Sequence, residues 1–81
     1  MYNEIILDAL QGITLPKTEL EISTILSDSL TTAGHKDTLC LGIFNGAESF
    51  FEGVLMDGNN MNNGPLFRFT YDWDTNEFNE L

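Results

Sequence analysis

Phe67-Arg68-Phe69-Thr70-Tyr71-Asp72-Trp73-Asp74 sets four aromatic side chains on alternate positions of an eight-residue run. Strict alternation of large apolar and polar residues is the pattern of a β-strand with one buried face, and aromatic and β-branched residues favour that state. Upstream lies Asp57 to Pro65, a Gly- and Asn-rich stretch with no apolar period, which reads as a loop. Before it, residues 49–56 form a second strand, with Phe50, Val54 and Met56 on one face and Phe51 and Leu55 on the other. Two apolar faces place that strand at the centre of a sheet. Asn45-Gly46 is a strong hairpin signal, and ahead of it Leu39, Leu41 and Ile43 alternate with Thr38, Cys40 and Gly42. The expectation is a third strand with the two leucines and the isoleucine turned to the core. Downstream, Thr75 to Leu81 is polar apart from Phe78 and Leu81 and reads as a loosely packed tail.

The first third of the chain has a different period. Residues 3–11 read as a short helix: Asn3 is a candidate cap, and Ile5, Ile6, Ala9 and Leu10 share one side before Gly12. Thr18-Glu19-Leu20-Glu21 has capping-box spacing, so a second helix begins at residue 19. Ile22, Ile25, Leu26, Ser29, Leu30 and Ala33 continue it as one stripe to Gly34, with His35 and Lys36 at the negative end of its dipole. The order of elements gives an α+β fold: two N-terminal helices packed on a three-stranded antiparallel β-meander, in a single domain over residues 1–81 with 75–81 as its tail. The helices cover one sheet face and leave the other wet or paired.

With 81 residues and 9.1 kDa there is room for one core. Area scaling gives a folded surface of about 4,900 Å², with about 63% of the unfolded chain's surface buried. Hydrophobic burial and the entropy of ordering nearly cancel at this size, so a partner surface or a second copy would strengthen a marginal core. A hydrophobic fraction of 42% argues against disorder. No apolar run approaches the length of about 18 residues that a membrane span needs.

Charge excludes more than it identifies. Thirteen acids face only Lys17, Lys36 and Arg68, for a net charge of −10. Nucleic acid and anionic membranes are repelled by such a surface, and a basic protein is attracted. Mimicry of DNA is a stricter condition. Duplex DNA carries one charge per roughly 107 Å² of its cylinder, so a patch of about 800 Å² needs seven or eight clustered acids. Asp72, Asp74, Glu77 and Glu80 begin such a cluster, and Glu48, Glu52 and Asp57 are candidates to join it across the sheet. The N-terminus has no basic n-region and Cys40 has no second cysteine to pair with, which together favour a reducing cytoplasm.

No constellation supports catalysis, a metal or a cofactor. Read as a calcium loop from Asp57, the chain offers Met61, Asn62 and Arg68 where an EF-hand needs a ligand, a glycine and a glutamate. Read from Asp72, Glu77 replaces the glycine. His35 in a turn and Cys40 in a buried strand do not make a nucleophile–base pair, and one His with one Cys leaves a zinc ion two ligands short. The aromatic stripe reads as core, with Tyr71 and Trp73 at its end partly exposed. Rigid rings beside carboxylates suit a protein interface, so the candidate partner-binding residues are Tyr71, Asp72, Trp73, Asp74 and Glu77. The functional expectation is a non-enzymatic acidic protein-binding module, of inhibitor or immunity type, occupying a basic nucleic-acid-binding surface of a partner protein. The other reading is a structural or accessory subunit that self-associates as a homodimer through its sheet, with Phe51 and Leu55 as contact residues.

Overall fold

The computed structural model describes residues Met1–Leu81 and places helix α1 at Tyr2–Gln11 and helix α2 at Glu19–Thr32. Four strands follow, β1 (Thr38–Asn45), β2 (Ala47–Asp57), β3 (Pro65–Asp72) and β4 (Glu77–Glu80). All neighbours are antiparallel and the sheet order is β1-β2-β3-β4. The class is α+β, as the periodicities predict, but the sheet has four strands rather than three. The expected tail is a four-residue hairpin turn followed by β4. Asn76 ends that turn at φ 58°, a left-handed conformation that asparagine tolerates. The accessible surface is 4924 Å². No helix is long and apolar enough to cross a membrane.

Local chemistry sets the helix ends. Thr18 Oγ1 accepts from the Glu21 N–H at 3.1 Å, while Glu21 Oε1 accepts from the Thr18 N–H at 3.0 Å, so the capping box closes. That amide bond, with a smaller contribution from the Thr18 hydroxyl, holds the Glu21 carboxyl below its ordinary value. At the other end, His35 N–H bonds the Leu30 carbonyl and Gly34 N–H bonds the Thr31 carbonyl, with Gly34 at φ 99°. This is the Schellman arrangement, and the left-handed position falls where glycine carries no Cβ penalty. Helix α1 starts one residue earlier than its pattern suggests. Asn3 does not cap a backbone amide there; its Oδ1 accepts from the N-terminal ammonium.

Both helices lie on one face of the sheet and enclose a core of Ile6, Leu10, Ile22, Leu26, Leu30, Phe51, Leu55 and Phe69, all wholly buried. The sheet's inner face is aromatic. Phe44, Phe51, Phe69 and Phe78 form a chain of ring contacts with centroids 5.8–6.2 Å apart. Two cross-strand partners, Gly42 and Gly53, make room for it. A Cβ on Gly42 would fall within the Phe51 ring, and one on Gly53 within the Phe69 ring. Glycine in a strand here marks a close approach of side chains to backbone.

That crowding reverses the face expected for β1. Thr38 and Cys40 point inward and are buried, whereas Leu39, Leu41 and Ile43 point away from the helices at 41%, 48% and 57% exposure. Small side chains, Thr38, Cys40 and Gly42, line β1 under α2 up to Phe44 at the hairpin end, and Ser27 Oγ accepts the Cys40 N–H at 3.0 Å. The same geometry corrects the self-association residues, because Phe51 and Leu55 belong to the core and present nothing to a second copy.

Candidate binding surface

The helices cover one sheet face, and the period of two puts every second residue of each strand on the other. Along this outer face the cross-strand register builds rows. Leu39 pairs with Met56 at one end, and the next row sets Leu41 opposite Val54 and Val54 opposite Arg68. Leu81 extends this second row by donating its N–H to the Arg68 carbonyl at 2.9 Å. Ile43, Glu52, Thr70 and Asn79 form the third row. Phe50, Asp72 and Glu77 form the fourth, beside the β1–β2 hairpin. Of the eight large apolar residues left exposed in the chain, Leu39, Leu41, Ile43, Leu66 and Leu81 belong to this face. The outer face is therefore mostly apolar at its Leu39 end, with Arg68 as the one cation, and acidic on β2, β3 and β4 towards the hairpin, where Ile43 and Phe50 are the apolar members.

The acids are not neutralised from within. Every carboxylate hydrogen bond comes from a neutral donor. Glu19 accepts from the Phe44 N–H at 2.6 Å, Asp57 from the Asn59 N–H at 2.9 Å, and Asp72 from the Asp74 N–H at 2.8 Å. Asp74 accepts from the Ser49 hydroxyl at 3.0 Å, and Glu52 from the Asn45 side-chain amide. Asp72 and Glu77 are direct cross-strand partners, a like-charge pair that opposes folding unless a cation meets it. Glu19, Glu21 and Glu48 line an open depression at the same hairpin end, with Lys17 as its one cation. No three His, Cys, Asp or Glu side chains converge on a point that could hold a metal.

Both edges of the sheet resist further strands. On β1 the outward amides of Cys40 and Phe44 are taken by Ser27 and Glu19 of α2. On the far side β4 is four residues long and carries Glu77 and Glu80. Short, charged or covered edges resist strand addition. The accessible unpartnered surface is the face.

The residues singled out from sequence are divided by the sheet. Tyr71 is 1% exposed, its hydroxyl donating to Asn76 Oδ1 at 3.3 Å, so it is a core residue and not an exposed anchor. Trp73 is half-buried on the same inner side, edge-on to Tyr71 at 4.9 Å and to Phe51 at 6.3 Å. Its indole Nε1 is buried without a hydrogen-bond partner. Asp72 and Glu77 lie on the outer face, and Asp74 is in the turn. Adjacent residues of a strand point to opposite sides, so Tyr71 and Asp72 belong to different surfaces. The residues that the sequence reading missed are Leu39, Leu41, Ile43, Val54 and Arg68. The available signal was the glycine pair, which marks the side of β1 that large residues cannot occupy. No protein-family model matches the chain, and neither a search of curated proteins nor one of solved structures returns a match.

Proposed function

We propose that the protein is an acidic protein-binding module that docks through the outer face of its sheet onto a basic surface of a partner protein. It acts as an inhibitor or immunity-type protein does, by occupying a surface that otherwise meets nucleic-acid phosphates. One observation carries the reading: exposed Leu41 and Ile43 share one sheet face with Glu52, the cross-strand partner of Ile43, and with Asp72 and Glu77, and no cation of the chain meets these charges. An exposed apolar patch gives a partner surface to bury, and uncompensated charge of one sign beside it steers a partner of the other. The work is done by occupancy and needs no catalytic step.

Capture on the immobilised protein, with stepwise salt elution, tests this. A basic protein released at moderate salt is expected, and it is lost with either Leu41→Gln/Ile43→Gln or Asp72→Asn/Glu77→Gln. Capture unchanged by both double variants removes the outer face from the account. The exposed leucines also favour a second reading, a homodimer through this same face. Sedimentation showing a salt-resistant dimer that Leu41→Gln/Ile43→Gln dissociates would establish it in place of the first.

A further inference from the structure

The shape and charge of the outer face narrow the partner further, and this step rests on the docking reading above. We infer that the element received on this face is an amphipathic basic α-helix lying along the strands.

Dimensions favour a helix. The apolar part lies on β1 and β2, with Leu66 and Arg68 of β3 beside it, and two strands at a spacing of about 4.8 Å give a strip about 10 Å wide, the diameter of one helix. From the Leu39 row to the Phe50 row is about 20 Å along the strands, the length of about 13 helical residues. An apolar stripe over Leu39, Leu41, Val54 and Met56 then brings its basic end over Glu52, Asp72 and Glu77. An extended segment is disfavoured because Ser27 and Glu19 take two outward amides of β1 and the short β4 carries two glutamates. A second sheet would have to cover the polar row members Asn79 and Glu77 as well.

Symmetry argues against a second copy. Two identical faces meeting across a two-fold axis parallel to the strands gather Asp72 and Glu77 of both copies at the same end of the interface. With the axis across the strands, each strand lies over its own copy end for end, which sets Asp72 on the Pro65–Leu66 end of the other copy's β3. One arrangement repels and the other buries unpaired charge, while each subunit already carries −10. A helix with leucines along its stripe and lysines or arginines at one end meets both halves of the face.

The test uses the full chain and two labelled Leu/Lys peptides of about 14 residues and equal composition. One gathers its lysines at one end of an apolar stripe; the other scatters them round the helix. Fluorescence anisotropy gives affinity, and amide NMR shifts of the unaltered protein give the site. The expected result is preference for the first peptide, shifts confined to β1–β3, and about tenfold weaker binding by Leu41→Gln/Ile43→Gln. Glu4→Gln/Asp8→Gln, on exposed α1 positions, binds as the parent does. Equal affinity for both peptides, or shifts centred on the helices, overturns the inference, and the NMR map decides even where a variant folds poorly. If the outer-face variants abolish partner capture while neither peptide binds, the helix is wrong and the docking function stands. If capture ignores those variants, both fall.

Discussion

Cys40 shows how far a single residue's chemistry is set by what covers it. Its side chain faces α2 across the narrow gap beside Gly42, and burial pushes the thiol up to about 12 from an ordinary 9.0. A thiol in that state is a small apolar group, and neither nucleophile nor metal ligand follows from it. The folded chain keeps this proton while the unfolded chain releases it above pH 9, so unfolding becomes easier as pH rises. The slope is about 1.4 kcal/mol per pH unit between the unfolded and folded values. Urea titrations of the parent and of Cys40→Ala between pH 8 and 11 are expected to differ by that slope, the variant lacking it. The native thiol should also resist aromatic disulfide reagents until denaturant is added. Parallel pH profiles for the two proteins would show that Cys40 does not stay protonated in the fold.

Among the elements, β1 depends most on its neighbour. As an edge strand it has outward amides, and α2 supplies their acceptors, Ser27 Oγ for Cys40 and the Glu19 carboxylate for Phe44. Removing Ser27 Oγ leaves a part-buried donor unpaired, which costs about 1–3 kcal/mol. Ser27→Ala is therefore expected to lower the urea midpoint and speed exchange of the Cys40 amide. Ser27→Ala/Glu19→Ala uncovers the edge, and concentration-dependent association should appear in sedimentation. Unchanged exchange at Cys40 would mean that the amide is protected some other way. Both helices and the ends of α2 were legible in the sequence, because the Thr18–Glu21 box and Gly34 state their chemistry locally, whereas the start of α1 was misplaced by the cap assigned to Asn3. Strand β4 was not. It has one apolar residue, Phe78, among polar ones, and its place is set by stacking on Phe69 at 5.8 Å. The face of β1 was misread for a related reason: a period of two separates two surfaces without saying which is inside. That choice is made by α2 and by the rings lying over Gly42 and Gly53, contacts remote in sequence. Asp72 and Glu77, singled out in the sequence as candidate partner-binding acids, lie on the outer face, whereas Leu39, Leu41 and Ile43 of that face were assigned to the core.

The whole molecule carries thirteen acids, three bases and no carboxylate hydrogen-bonded to a cation. Self-repulsion then opposes the compact state, and salt relieves it by shortening the Debye length from about 30 Å at 0.01 M to about 8 Å at 0.15 M. Thermal unfolding monitored by Trp73 fluorescence is expected to move upward over that range. Relief of about 1 kcal/mol corresponds to about 4–8 °C for a domain of this size. A midpoint that falls with salt would mean that favourable ion pairs outweigh the repulsion. Salt thus acts in opposite directions on the free protein and on its proposed complex, steadying one and loosening the other. The alternation along β1 has a further consequence. Thr38, Cys40 and Gly42 answer to the volume under α2, whereas Leu39, Leu41 and Ile43 face away from the helices and stay about half exposed. Under the proposed docking function, foldability and recognition are written on interleaved letters of one strand, and a lineage could rewrite the target at the odd positions while leaving the architecture untouched.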